Sequence, residues 1–581
     1  MIRIVLAGRL KILRTVINGF PPSRYASTGS YLHNPGSAPL QYETLGRVLR
    51  AAADRSPGRR ALRSRHEGVA MTYEELLDQA DALGCGLRAR GLRRGDRLGV
   101  WAHNCAAWPL ALVAAARVGL VPVAINPVYE KPELSFCLKK TGVKALLIGD
   151  RLPSRDYHRQ LCELVPELPA AAPGALRARD FPDLRLVVTA GKEALPGTIT
   201  CDSLIKDYEK PSKNAVTAYG AEISPDDGCI IHFTSGTTGD PKAALDSHFG
   251  IVNNSYFIGR RNTLHEGDHT VCVQVPIFHA LGSVITVLTA LRHGAGLVLA
   301  GPTYSVSANA DALYEDKCSV VIGTPTMFVD LVGAARRRGT PHRVSVALTA
   351  GAPCSPQLFM DIQEHLNVES VKSIYGMTET TASVFQSLPG ESMAQVTDTV
   401  GYLQDHVEVK VVDDTGRLVP FGSPGELLVR GYNTMTCYWD EPGKTREALG
   451  DDGWLRTGDY FTISSDGYGR VVGRKKDIIV RGGENVAPKE IEDLLNEHPD
   501  ILESQVIGVA DARLGEELCA VVRLRDGASS VTLDDVTKHV TGRLARHKAP
   551  RMLRTVAEFP KTASGKILKY KLREMVEQGL L

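Results

Sequence analysis

Between residues 42 and 350, short apolar runs rich in β-branched residues alternate with longer runs that carry apolar residues on one helical face. That alternation restricts the chain to parallel sheet covered by helices. Arg97–Ala102 (RLGVWA) reads as a strand, Ala106–Val118 as a buried helix, and Val121–Ala124 and Ala145–Ile148 as further strands. The rhythm resumes at Cys229–Phe233, Thr270–Val275, Val320–Ile322 and Val344–Leu348. Thr72 and Glu75 have capping-box spacing, which predicts a helix through Leu77 and Leu83. After Val400 the texture changes to hairpins. Val409–Val412 turns at Asp413–Gly416, Gly425–Arg430 follows, and Ser465–Gly467 turns into Arg470–Val472. Pro488 then opens a helix with Ile491, Leu494 and Leu495 on one face. The expected fold class is α/β: a large N-terminal domain of helix-covered sheets with a β-rich subdomain, followed by a small α+β C-terminal domain. The expected boundaries are 1–42 for a leader and linker, 43–475 for the N-terminal domain and 476–581 for the C-terminal one. The Pro-, Ala- and Arg-rich stretch Leu152–Asp180 reads as a surface excursion.

A chain of 581 residues exceeds the ~250–300 residues at which one core stops growing, so several domains are required. The formal net charge is +2, yet residues 1–42 hold Arg3, Arg9, Lys11, Arg14 and Arg24 and no acid. The body is therefore close to neutral and offers nucleic acid no basic surface. The basic, acid-free, Ser-containing start reads as a mitochondrial transit peptide, with Arg24–Ser27 as a cleavage region. A secretory signal fits less well, because basic residues interrupt its apolar runs. The 11 cysteines form no CxxC pair, so a structural metal site is not expected. Val271–Leu291 lacks Asp, Glu, Lys and Arg, but Gln274, Pro276 and His279 divide it. It reads as strand, loop and buried helix, not as a membrane span.

The segment Thr234–Lys242 carries the strongest chemical signal. It follows the apolar strand Cys229–Phe233 and reads Thr234, Ser235, Gly236, Thr237, Thr238, Gly239, Asp240, Pro241, Lys242. Two glycines let backbone N–H groups converge on an anion, four hydroxyls add donors, and Lys242 adds charge. Its spacing departs from the Walker A pattern. A phosphate cradle is the natural reading.

With this loop the chain resembles the adenylate-forming superfamily that includes acyl-CoA synthetases. The other motifs of that family follow in order: Tyr375-Gly-Met-Thr-Glu379, Thr457-Gly-Asp459, Gly473-Arg-Lys-Lys-Asp477, Gly483-Glu-Asn-Val486 and Pro560-Lys-Thr-Ala-Ser-Gly-Lys566. The resemblance covers everything after residue 42 and is nearest to mitochondrial medium-chain acyl-CoA ligases. It implies ATP and coenzyme A as co-substrates with Mg²⁺, and a mobile C-terminal domain. By the same resemblance Tyr375 and the Gly351, Ala352, Pro353 segment receive adenine, Asp459 receives the ribose hydroxyls, and Arg474 contacts ribose and phosphate. Thr378 faces the α-phosphate, Glu379 ligates the metal, and Lys566 reaches the reacting oxygens. Lys476 matches the hinge and Gly483 the pantetheine tunnel.

The segment Pro276-Ile-Phe-His279-Ala-Leu-Gly282 resembles the part of acyl-CoA synthetases that meets the substrate carboxylate, with His279 as gate or polar contact. Amino-acid-activating relatives carry Asp at the His279 position, so an amino-acid substrate is not expected. Ala280, Gly282, Val284 and Ile285 suggest an apolar acyl slot. Another acyl acceptor, such as a carrier protein, remains an alternative. So does an inactive nucleotide-binding regulator, against which Lys566, Glu379 and Asp459 stand. Four residues depart from the family pattern: Ala243, Asp246, Ala350 and Cys437. Asp246 is the oddest, because a buried carboxylate without a partner is costly.

Overall fold

Two large sheets carry most of the chain in the computed structural model, which describes residues 29–208, 213–234, 241–352, 354–482, 484–511, 513–525, 527–528, 530–541, 543–562 and 567–581. In the first sheet Gly228–Thr234, Val121–Ile125, Arg97–Trp101, Val143–Ile148, Leu186–Thr189 and Ile199–Thr200 run parallel in that order. Lys242–Ser247 and Cys437–Tyr438 extend it antiparallel beyond Gly228–Thr234. In the second sheet Arg60–Ser64, Gly296–Leu299, Thr270–Val273, Val320–Gly323, Val344–Thr349 and Val368–Tyr375 run parallel. Antiparallel strands close both of its edges.

Side chains alternate between the faces of each strand, and the two faces feed different cores. Leu98 and Val100 enter a central core that also takes Val271, Val273, Val346 and Leu348 from the second sheet. Trp101, Val121 and Val123 face outward onto Leu134, Cys137 and Leu138 of helix Lys131–Thr141. Cys272, Val321 and Ala347 pack outward on helices Pro325–Arg338 and Pro356–His365. The middle layer holds helices Tyr73–Ala89 and Ala107–Val118, both buried along most of their length. The Thr72 and Glu75 capping box is formed, each side chain bonding the other's backbone N–H at 3.2 and 2.7 Å. Parallel strands buried on both faces are the geometry that the apolar runs require.

Hairpin strands Val407–Val412, Gly425–Gly431, Leu455–Ile463 and Gly469–Arg474 make a separate antiparallel sheet. Its edge is Tyr31–Asn34, so the end of the stretch read as linker is in fact a strand, held by Tyr31 Oη donating to Glu408 at 2.7 Å. The transit-peptide reading falls on residues 1–28, outside the described residues. The excursion Leu152–Asp180 also differs from expectation. It contains helix Tyr157–Leu164, and Leu161, Leu168 and Leu176 are buried in the outer core of the first sheet. Its Pro and Arg residues hid these few apolar anchors. The segment Val271–Leu291 is strand, loop and helix, and no described helix is long and apolar enough to cross a membrane.

After Arg474 the chain passes through the short turn Lys475–Asp477 into a sheet of its own. Ile501–Asp511 and Gly515–Leu524 form its long hairpin, joined by Ile479–Arg481, Glu484–Val486 and Met552–Thr555. Helix Pro488–Leu495 buries Ile491 and Leu495 against this sheet.

Candidate active site

The two large sheets meet at the C-terminal ends of their parallel strands, where Asn104 after Arg97–Trp101 contacts Val275 and Ile277 after Thr270–Val273; open α/β sheets collect ligands at such strand ends. Strand Val368–Tyr375 delivers Tyr375, whose phenol donates to Asp459 Oδ2 at 2.6 Å. Asp459 pairs across the hairpin with Arg474, and its Oδ1 lies 2.7 Å from Arg474 Nε. Burial, then the Asp459 charge, push the Tyr375 phenol well above its ordinary range, so it stays a donor. Thr349 pairs with Ser373, which sets Gly351 in the stretch beside Tyr375; Gly351 has φ +82°. Gly376 is required by close approach. A Cβ there would sit 2.2 Å from the Ala382 carbonyl oxygen, and backbone cannot give way cheaply. Gly376→Ala is therefore expected to cost about 1–3 kcal/mol of stability and to raise the KM for ATP. Calorimetry with an ATP titration checks this, and an unchanged thermal midpoint would refute the packing account.

Thr378–Thr380 forms a single 3₁₀ turn, followed by Thr381 and Ala382 at φ +49° and +82°. Left-handed non-glycine residues are strained and mark sites that their surroundings over-determine. The turn buries Glu379, whose Oε1 accepts from Tyr438 Oη at 2.8 Å. Burial raises the Glu379 carboxyl, opposed by the Tyr438 hydrogen bond and by the Arg474 and Lys242 charges. Lys242 Nζ lies 4.7 Å from the centre of the Tyr438 ring. Tyr438 thus joins the cation after the phosphate loop to the carboxylate after Tyr375. Sequence reasoning missed it; its one signal was the Tyr-Trp pair behind the unusual Cys437.

On the acid side, Asn104 follows strand Arg97–Trp101 and clamps the loop from the second sheet. Its amide donates to Val275 O and accepts from Ile277 N, both at 2.9 Å. Asn104 too was missed, since a lone Asn after a strand has no periodic signal. His279 accepts from Leu281 N through Nδ1 at 3.2 Å, which leaves Nε2 to carry its proton when neutral. Residues Leu281–Leu288 then wind as a π-helix, with Thr286 and Thr289 hydroxyls bonding carbonyls five residues back at 2.8 Å. Gly282 is small for a reason other than an acyl slot: a Cβ there would meet Pro276 O at 2.1 Å. Ala280, Val284, Ile285 and Ala350 are buried in the central core beside this loop. A cavity of about 720 Å³ lined by Arg88, Arg93 and Trp439 opens elsewhere, at the edge where Gly119 ends helix Ala107–Val118 and Gly228 begins its strand.

Contacts join Tyr375, Asp459 and Arg474 to one another and Lys242 and Glu379 to Tyr438, while Thr234 pairs with Lys242, the residue after Pro241, Gly351 and Ala352 follow strand Val344–Thr349, Thr378 starts the turn of Glu379, and His279 lies in the loop after Thr270–Val273. Lys476 lies in the turn that leaves Arg474. Ser235, Gly236, Thr237, Thr238, Gly239, Asp240, Pro353, Gly483 and Lys566 lie outside the described residues. No group of three or more His, Cys, Asp or Glu side chains converges as a metal cage among the described residues. Asp246 is buried, with partners described below.

Comparison with known proteins agrees with the geometry. The family described as AMP-binding enzyme matches residues 49–439, and its C-terminal domain matches 490–566. A protein named medium-chain acyl-CoA ligase ACSF2, mitochondrial, from Bos taurus is 38% identical over 559 residues, covering 95% of this chain and 90% of the relative. A putative acyl-CoA synthetase, YngI, from Bacillus subtilis is 35% identical, covering 92% and 98%. Among solved structures, ATP-bound MatB from Rhodopseudomonas palustris superposes with a TM-score of 0.75 at 26% identity, over 93% of this chain and all of that one. An anthranilate CoA ligase in complex with anthranoyl-AMP shares the fold, with a TM-score of 0.80 at 24% identity over 94% and 99%.

Proposed function

Since this chain belongs to the AMP-binding enzyme family, we propose that it joins a medium-chain fatty acid to coenzyme A through an acyl-adenylate, at the expense of ATP. The observation that carries this reading is the cluster of Tyr375–Asp459–Arg474 with Glu379–Tyr438–Lys242, in which the Arg474 and Lys242 charges act on Glu379. The carboxylate of the acid attacks the α-phosphorus, and pyrophosphate leaves. The thiolate sulfur of coenzyme A then attacks the acyl carbon and AMP leaves. In the first step Asp459 trades its contacts with Tyr375 and Arg474 for ribose hydroxyls, which frees the Tyr375 ring and the Arg474 guanidinium for adenine and phosphate. Lys242, Thr234 and Lys566 bind phosphate oxygens, and Thr378 orients the α-phosphate. His279 holds the incoming carboxylate through Nε2.

Glu379 fits Mg²⁺: a single buried carboxylate suits an ion that keeps most of its shell as phosphate and water oxygens. When bound, the ion neutralises phosphate charge. The C-terminal domain, taken as 476–581, turns about Lys476 between the two steps, and Gly483 admits pantetheine. The medium chain length rests on the names of the relatives above and on the apolar surroundings of Ala280, Val284 and Ile285. Mitochondrial residence rests on those names and on the basic start of the chain.

A thioester assay with coenzyme A across straight-chain acids is expected to peak at medium length. A peak at acetate, or no thioester with any acid, would overturn the substrate assignment.

A further inference from the structure

Asp246 and His232 form a buried pair that the reaction above does not use. Both belong to the first sheet, where strand Lys242–Ser247 pairs antiparallel with Gly228–Thr234. Ala244 faces His232 and Asp246 faces Ile230, so the two side chains are diagonal neighbours on one face. Asp246 is 0% exposed and His232 1%. Their partners follow strands of the second sheet, Thr381 after Val368–Tyr375 and Ser283 after Thr270–Val273. Thr381 Oγ1 donates to Asp246 Oδ1 at 3.1 Å. His232 Nδ1 lies 3.5 Å from Asp246 Oδ2, and His232 Nε2 lies 2.8 Å from Ser283 Oγ. Ser283, itself fully buried, donates to the His279 carbonyl at 3.1 Å.

The chain of contacts therefore runs Thr381–Asp246–His232–Ser283–His279. One end is the strained turn that carries Glu379, and the other is the backbone of the loop that carries His279. Nδ1 of His232 and Oδ2 of Asp246 are buried and face each other at a distance longer than an ordinary hydrogen bond, with no other partner among the described residues. The Ser283 hydrogen is committed to His279 O, so Nε2–H of His232 donates to Ser283, and Nδ1 meets Asp246 Oδ2 as a close polar contact. A buried polar contact of this kind is costly to separate, because neither atom has another described partner to turn to.

Resting on the ligase reading, we propose that Asp246 and His232 are positioning residues that lock the acid-binding loop to the nucleotide-binding turn. They set the distance between the substrate carboxylate and the α-phosphate and touch neither.

Three variants divide the chain of contacts. His232→Asn places its amide where Nδ1 was and keeps Asp246, but cannot reach Ser283. It is expected to raise the KM for the acid about tenfold or more while the KM for ATP moves less than about twofold. Asp246→Leu releases Thr381 as well and is expected to raise both. Asp246→Asn can donate to Nδ1 of the neutral imidazole and accept from Thr381, so it is expected to recover most of what Asp246→Leu loses. The readout is pyrophosphate exchange with acid and ATP varied separately, alongside the thermal midpoint. Lowered midpoints with unchanged KM values would make the pair purely structural and overturn the proposal. So would an Asp246→Asn enzyme as impaired as Asp246→Leu. Wild-type protein that is inert with every acid would instead remove the ligase reading, and this inference with it.

Discussion

Glu379→Gln is expected to slow acyl-adenylate formation by about 10²–10³-fold, the size of effect seen when one preorganised electrostatic contact to a reacting group is lost. The substitution keeps the shape of the side chain and leaves an oxygen that still accepts from Tyr438 Oη. What disappears is the negative charge, and with it the proposed anchor for Mg²⁺ beside the phosphates. Burial already raises the Glu379 carboxyl, so the wild-type enzyme is expected to lose activity on acidification sooner than an ordinary carboxylate would dictate. The sign follows directly: the anion is the working form, and a raised folded-state value moves its protonation toward neutral pH. The nearby Lys242 and Arg474 charges restrain that shift, and a bound cation restrains it further. Pyrophosphate exchange measured across pH and Mg²⁺ concentration checks both statements. Exchange within about threefold of wild type at all Mg²⁺ levels would remove Glu379 from the mechanism.

Lys476→Pro is expected to separate the two halves of the reaction. The residue sits in the turn Lys475–Asp477, between strand Gly469–Arg474 of one sheet and Ile479–Arg481 of the next. The turn is closed by Ile478 N donating to Arg474 O at 3.1 Å, and its start is tethered by Lys475 Nζ to Asp414 at 2.8 Å. Proline fixes φ near −65°, so the connection can no longer absorb a large rotation. Exchange should remain within about threefold, while thioester formation falls by about 100-fold or more. Equal loss of both activities would count against a hinge at this residue.

Much of the architecture was legible because it depends on local chemistry. The Thr72–Glu75 box, the β-branched strands and the Pro488 start are short-range signals, and each appears where expected. Tyr375, Glu379, Asp459 and Arg474 were named through the resemblance of their motifs, which says nothing of contacts, and the structure joins Tyr375 to Asp459 and Asp459 to Arg474. What escaped was long-range. The partners of Asp246 are 14 and 135 residues away, so its side chain looked stranded. Tyr438 reaches Glu379 across 59 residues, and nothing in its own neighbourhood announces that contact. Gly282 misled because smallness has two causes: here it makes room for the chain's own Pro276 carbonyl and not for a ligand. The Leu152–Asp180 stretch misled because composition averages over positions, and only its few buried leucines matter to packing.

The strand Tyr31–Asn34 also dictates when the enzyme can become whole. Tyr31 is bonded to a residue 377 positions further along, and the sheet it edges supplies both Asp459 and Arg474. At ribosomal speeds of about 5–20 residues per second, this segment waits roughly 20–75 s after synthesis for its neighbour to emerge. The parallel layers can assemble meanwhile from partners closer in sequence. The proposed ribose site at Asp459 and Arg474 is therefore completed late in synthesis, after the parallel layers have their partners.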